Sequence, residues 1–200
     1  MRYGMVIDLN LCVGCDSCTI ACKATHGTPP GVYWLKVLEK EEGKYPQVKR
    51  LFLPVSCNHC ESPPCRDACP TGATIKREDG IVLIDYDKCM GCRACMAACP
   101  YGARTYIYKK EGYYGSKLTL KEEIHYPYLQ KGITVKCNFC VSRVEEGKKP
   151  VCVEVCPTNC RYFGDLDEPE SEVSQLIKSE GGYQLRPEEG TNPSVYYLHR

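Results

Sequence analysis

Cys89-Met90-Gly91-Cys92-Arg93-Ala94-Cys95-Met96-Ala97-Ala98-Cys99-Pro100 offers a thiol at every third position, then a fourth after three more residues and directly before a proline. A tight loop through Cys89, Cys92 and Cys95 can wrap one corner of an inorganic cube and present three sulfurs from one segment. The Ala-rich stretch from Arg93 to Ala98 predicts a short turn of helix. Pro100 stops that turn because it lacks an N–H and drives its predecessor out of the helical region. Cys99 therefore points away from the loop.

Three further runs repeat the arrangement: Cys12, Cys15, Cys18, Cys22; Cys57, Cys60, Cys65, Cys69; and Cys137, Cys140, Cys152, Cys156. Together the four runs take 16 of the 17 cysteines in 200 residues, and only Cys160 is left over. The spacing is that of [4Fe-4S] ligation, in which the fourth cysteine of a run serves the other cluster of a pair. Runs two and three lie 19 residues apart, and Thr74 to Asp87 between them reads as two short strands around an Asp79-Gly80 turn. They form one complete two-cluster unit. Runs one and four then form a second unit closed over the first. On this nested pairing Cys57, Cys60 and Cys65 are completed by Cys99, and Cys89, Cys92 and Cys95 by Cys69. In the outer unit Cys12, Cys15 and Cys18 are completed by Cys156, and Cys137, Cys140 and Cys152 by Cys22. A sequential pairing of one with two and three with four also satisfies the spacing.

The expected fold is α+β: two ferredoxin-like modules, each with two [4Fe-4S] clusters, irregular loops and a C-terminal extension. The boundaries follow as 54–106 for the inner module, 1–53 plus 107–168 for the outer one, and 169–200 for the extension. A helix is expected from about Pro169 to Ser179, ended by Gly181-Gly182, in a tail too polar to span a bilayer and expected to lie along a partner.

With 17 cysteines, 17 glycines and 14 prolines, the chain has few long apolar runs, and four cubes would supply the missing interior. The formal charge of +1 omits those cofactors, which make the loaded protein acidic. The charge runs Lys40 to Lys44 and Arg143 to Lys149 alternate in sign and read as solvated loops, which argues against nucleic acid. No secretory signal and no run of roughly 20 apolar residues is apparent, so membrane attachment is expected through another subunit. No phosphate loop, nucleophile elbow or carboxylate pair recommends a catalytic site, and none is assigned.

A short phrase recurs after three of the fourth cysteines: Cys69-Pro70-Thr71-Gly72-Ala73, Cys99-Pro100-Tyr101-Gly102-Ala103 and Cys156-Pro157-Thr158-Asn159-Cys160. It places Cys160 at an alanine position, as a small buried residue and not a ligand. Asn159 keeps the left-handed turn. Run one has Lys23 in place of the proline. Runs two and four are stretched by Glu61-Ser62-Pro63-Pro64 and by eleven residues between Cys140 and Cys152, read here as docking elements with an indifferent loop as the alternative. Structural zinc rarely uses three cysteines at successive two-residue spacing followed by Cys-Pro. His59, inside run two, is assigned a place beside the ligands or at the surface. His26, His125 and His199 form no metal spacing, and the tyrosines read as packing residues. Arg66 and Arg93 are the candidates for tuning cluster potentials.

Met5-Val6-Ile7-Asp8, Cys57-Asn58-His59-Cys60, Gly80-Ile81-Val82-Leu83-Ile84-Asp85, Cys89-Met90-Gly91-Cys92-Arg93 and Arg161-Tyr162-Phe163-Gly164-Asp165 extend the case over nearly the whole chain. In these the chain resembles the four-cluster ferredoxin-like subunits of complex molybdenum oxidoreductases, such as polysulfide, thiosulfate, arsenate and dimethyl sulfoxide reductases. The resemblance implies nested pairing and four [4Fe-4S] clusters held by all sixteen cysteines. It also implies a place between a molybdopterin catalytic subunit and an integral membrane quinone-reactive subunit. The chain is then an electron-transfer subunit, not catalytic alone, and peripheral to a membrane-bound complex. Export with a signal-bearing partner would put it on the extracytoplasmic face, and the alternative is the cytoplasmic face. A free-standing polyferredoxin, or the electron-transfer subunit of a hydrogenase or formate dehydrogenase, is the alternative function.

Overall fold

Tyr3–Asp8 forms the first strand, β1, and its consecutive apolar residues Met5, Val6 and Ile7 are all buried, the mark of a central strand covered on both faces. The computed structural model describes residues 1–109, 111–129 and 131–199. After β1 come α1 (Ser17–His26), β2 (Leu35–Lys44), β3 (Gln47–Ser56), α2 (Pro64–Asp67), β4 (Thr74–Lys76), β5 (Val82–Ile84), α3 (Ala94–Ala97) and β6 (Thr105–Tyr106). The second half holds α4 (Leu120–His125), β7 (Thr134–Val135), α5 (Val141–Glu145), α6 (Val151–Glu154), β8 (Arg161–Asp165), α7 (Glu172–Glu180) and β9 (Val195–Leu198). The mixed helix and strand content agrees with the α+β expectation.

Among the described residues four small sheets hold these pieces. β1 is flanked by β8, antiparallel with Met5 opposite Phe163, and by β9, parallel with Met5 opposite Val195. β4 and β5 form the expected hairpin around Asp79-Gly80. β6 and β7 pair Thr105 with Val135, joining the exit of run three to the entry of run four. The core between them includes Met5, Ile7, Ile81, Ile107, Phe139 and Tyr197.

The cysteine runs differ as their prolines dictate. Runs two, three and four each end on a four-residue turn, α2, α3 and α6, whose last residues precede Cys69-Pro70, Cys99-Pro100 and Cys156-Pro157. Run one has Lys23 there, so α1 continues for ten residues to a Gly27 cap and carries Cys18 and Cys22 on one buried face.

The structure changes several expectations. Lys40 to Lys44 is not a loop but the outer half of β2, paired through Lys44 with Gln47 in a long hairpin. Its charged side chains stay in solvent, and cross-strand pairs such as Arg50 with Glu39 and Glu41 line it. Arg143 likewise sits in α5, held to Glu154 at 2.5 Å and to the Lys149 carbonyl at 3.0 Å, and Val144 is buried, so only residues 145–149 of that run are exposed.

The tail is part of the fold. Ser171 caps α7 and Gly181 ends it in the left-handed region; Val173 buries the helix against the β1 sheet. The stretch before β9 then lies on run two: Glu61 N–H donates to the Asn192 carbonyl at 2.8 Å, Ser62 N–H to the Thr191 carbonyl at 3.1 Å, and Ser194 N–H to the Asn58 carbonyl at 2.8 Å. The Glu61–Pro64 insertion, expected as a docking element, is thus tied by its backbone to the chain's own tail, while Glu61 and Ser62 stay exposed. Likewise the tail's inner face packs on its own chain, because Val195, Tyr197 and Leu198 supply apolar cover that β1 needs. Among the described residues no helix is long and apolar enough to cross a membrane.

Candidate iron–sulfur sites

Two small cavities share Arg104 in their walls. One is walled by Cys57, Cys60 and Cys65 from run two together with Cys99 from run three. The other is walled by Cys89, Cys92 and Cys95 together with Cys69. Elsewhere Cys22 of run one faces Cys137, Cys140 and Cys152. Cys18 faces Cys12, and Cys12 acts on Cys160, whose Sγ is 3.4 Å from that of Cys156. All seventeen cysteines are free thiols. Among the described residues no three His, Cys, Asp or Glu side chains close on a point the size of one ion. Sets of four thiols spread around a small cavity fit a cube with several metal atoms, not a single zinc.

The electrostatics call for a cationic centre. Burial, and then the neighbouring Cys57, Cys65 and Cys99, push Cys60 up to about 12 against a hydrogen bond with Thr191. Burial followed by Cys137, Cys152 and Cys140 raises Cys22 further, and burial with Cys152 raises Cys140 to about 11 against an amide from Val151. Like charges at this range resist joint ionisation, so four thiolates share a site only around compensating positive charge. Cys69 shows the opposite balance: burial opposes its thiolate, but the Thr74 amide and the Thr71 hydroxyl and amide bring it down to about 7. A buried guanidinium nitrogen, Nη2 of Arg161, is left without a protein acceptor, which also fits an anionic group beside Cys152 and Cys18.

The first Cys-x-x-Cys turn of each run uses a positive φ at its second inner residue: Gly14 at 67°, His59 at 43°, Gly91 at 72° and Phe139 at 53°. For His59 and Phe139 that conformation is strained. Their rings stack at 3.7 Å between centroids, so runs two and four hold each other in the required shape. Burial first, then Lys136 and Arg104, lower the His59 pKa well below its usual value, and its Nδ1 accepts the Val82 N–H at 3.0 Å. The ring is therefore neutral, with its proton on Nε2, and it lies inside the protein, not at the surface. His26, given no role by spacing, has Nε2 3.2 Å from Cys140 Sγ. Burial, and then His125, lower it to about 4.

Arg66 and Arg93, the expected tuning residues, are exposed. Arg66 bonds Asp67 at 3.1 Å, and Arg93 lies over the Tyr106 ring and bonds Tyr108. The buried cations beside sulfur are others. Arg104 donates through Nη2 to Cys65 Sγ at 2.9 Å and through Nη1 to Thr74 at 3.0 Å. Arg161 lies 3.9 Å from Cys152 Sγ and 3.4 Å from Met5 sulfur. Both stand fifth after a fourth cysteine, one step beyond the recurring phrase, and that is the signal which could have found them. Within the phrase, Cys160 is buried like Ala73, and Asn159 at 51° matches Gly72 at 64° and Gly102 at 58°.

The 4Fe-4S dicluster domain is matched over residues 48–116 and 119–166, and a 4Fe-4S binding domain over residues 9–27. A selenate reductase subunit of Mesobacillus selenatarsenatis is 46% identical over 213 residues, covering 99% of this chain and 72% of that protein. A protein of Halobacterium salinarum named as a putative dimethyl sulfoxide reductase iron-sulfur subunit is 43% identical over 99% of this chain and 79% of its own length. The arsenate respiratory reductase iron-sulfur subunit of a Shewanella species is 40% identical, with 99% and 96% covered. With its cysteine sets, its fold and these likenesses in agreement, the chain belongs to the 4Fe-4S dicluster family, among the iron–sulfur electron-transfer subunits of molybdopterin oxidoreductases.

Proposed function

We propose that the chain carries four [4Fe-4S] clusters in two ferredoxin-like modules, 54–106 and 1–53 plus 107–168, with residues 169–200 as the extension. The ligand sets are the nested ones: Cys12, Cys15, Cys18, Cys156; Cys57, Cys60, Cys65, Cys99; Cys89, Cys92, Cys95, Cys69; and Cys137, Cys140, Cys152, Cys22. The observation that carries this reading is the pair of inner cavities, each walled by three cysteines of one run and the fourth of the other. Such clusters, when bound, accept and release single electrons.

Contacts between the sets support one order of the sites. Cys57 acts on Cys137, so the second and fourth sets are neighbours across the His59–Phe139 stack. Cys18 and Cys22 lie on one helix and join the first set to the fourth. Cys15 and Cys92 are the exposed thiols, one in the first set and one in the third. The path therefore opens to partners at its two ends. One partner is a molybdopterin catalytic subunit, by likeness to the relatives named as subunits of selenate, dimethyl sulfoxide and arsenate reductases. The other is an integral membrane subunit that exchanges electrons with quinone. The complex sits peripherally on a membrane, on the extracytoplasmic face by export with its partner.

Anaerobic purification with gentle detergent tests this reading. It requires a brown complex with about sixteen irons per chain, molybdenum or tungsten in a second subunit, and a membrane subunit. Zinc in place of iron, or a lone carrier with no larger partner, refutes it. Protease treatment of intact spheroplasts reads the face.

A further inference from the structure

Among the described residues four charged side chains are buried: Arg104, Glu122, Lys136 and Arg161. Glu122 belongs to the cap of α4. The three cations share a different setting. Among the described residues none of them forms an ion pair with a carboxylate. A buried cation without an anionic partner is strongly destabilising, so each must meet its counter-charge in the sulfur sets.

Their positions are regular. Arg104 bonds Cys65 of the second set, interacts with Cys95 of the third, and lines both inner cavities. Arg161 faces Cys152 of the fourth set and Cys18 of the first. Lys136 adjoins Cys137 of the fourth set, with Nζ 2.9 Å from that residue's carbonyl oxygen, and acts on Cys65 of the second. Every interface between neighbouring sets thus contains one buried cation. The two arginines even address equivalent sulfurs, the third cysteine of each run in their module.

We propose that Arg161, Lys136 and Arg104 are a series of counter-charges built into the electron path, one at each junction, and that each eases arrival of an electron at the two sets it faces. The inference rests on the four nested sets of the proposed function. An electron delivered by a partner subunit makes a site one unit more negative. A fixed cation at the junction favours that state on either side and weakens repulsion between two neighbouring sites reduced together. Because the cations lie inside the protein, salt screens them little.

Redox titration followed by electron paramagnetic resonance, on the full chain in its complex, tests the inference with iron content measured on every sample. Arg104→Gln should lower the midpoints of the two inner clusters and spare the two outer ones. Each inner reduction equilibrium should fall at least tenfold, which is 59 mV for one electron. Arg161→Gln should do the converse, and Arg104→Lys should keep midpoints near wild type. Unchanged midpoints in an iron-replete Arg104→Gln protein overturn the inference, as does an Arg104→Lys protein as low as Arg104→Gln. If Arg104→Gln cannot hold iron, recovery of iron in Arg104→Lys supports the counter-charge, and failure of both overturns it. A wild-type protein without about sixteen irons would instead sink the proposed function itself.

Discussion

Replacing Gly91 with alanine should empty one site and leave the others loaded, whereas the same change at Gly72 should leave all of them loaded. Both glycines have positive φ, at 72° and 64°. An alanine in that region costs roughly 1–2 kcal/mol at either position. The surroundings differ. Nothing lies within 4 Å of a Cβ added at Gly72, but one added at Gly91 would sit 2.0 Å from the Gly132 carbonyl oxygen, where a real Cβ needs at least 3.0 Å. That oxygen belongs to the backbone beside β7 and cannot swing away, so the Cys89–Cys92 loop must retreat by about 1 Å. Metal–ligand distances tolerate only about 0.2 Å, so Cys89 and Cys92 cannot both stay in reach. Iron and acid-labile sulfide per chain, counted after anaerobic isolation, should fall by about a quarter in Gly91→Ala and stay at the wild-type level in Gly72→Ala. Equal, full loading of both variants would refute the reasoning from backbone contact, and loss of all iron from Gly91→Ala would refute independence of the sites.

Cys160→Ala should retain full iron, because the thiol fills a position where the recurring phrase has alanine, while Cys156→Ala should lose an end site; metal counts distinguish them. Ser171→Ala removes the acceptor of the Ser174 N–H and should cost about 1 kcal/mol, read as faster hydrogen exchange along α7. The amide of Thr119 chiefly, with the Tyr113 amide, holds the Glu122 carboxylate below its usual range. A depressed carboxylate contributes its stability above the unfolded pKa and loses it only as pH falls through the folded value. Protection of α4 amides should therefore stay flat from about pH 8 to pH 5 and drop throughout that range in Glu122→Gln.

Local rules made the cysteine runs readable. Thiol spacing, the proline after Cys99, the Asp79-Gly80 turn and the glycine after α7 each act within a few residues, and the structure has turns, a hairpin and a helix end there. Even the exception was local, since the absence of proline at Lys23 is what lets α1 run on. Distant packing hid the rest. Arg161 reads as one more basic residue until β8 is laid beside β1, which brings it against Cys18 and Met5. The place of His59 stayed open between the ligands and the surface because its partner, Phe139, lies in another run. Lys40 to Lys44 looked like a loop because an exposed hairpin is held by ladder bonds, which leave no apolar alternation to read. The strand that the tail adds to its own chain was hidden because its pairing partner is the first strand.

That last pairing has a consequence for how the polypeptide is made. β1 leaves the ribosome long before its two neighbours, which begin at Arg161 and Val195. Until those neighbours follow, Met5, Val6 and Ile7 form a naked apolar edge, open to wrong pairing with any passing strand. A cell that overproduces this polypeptide faster than its chaperones can shield that edge should collect aggregates before iron delivery becomes the bottleneck.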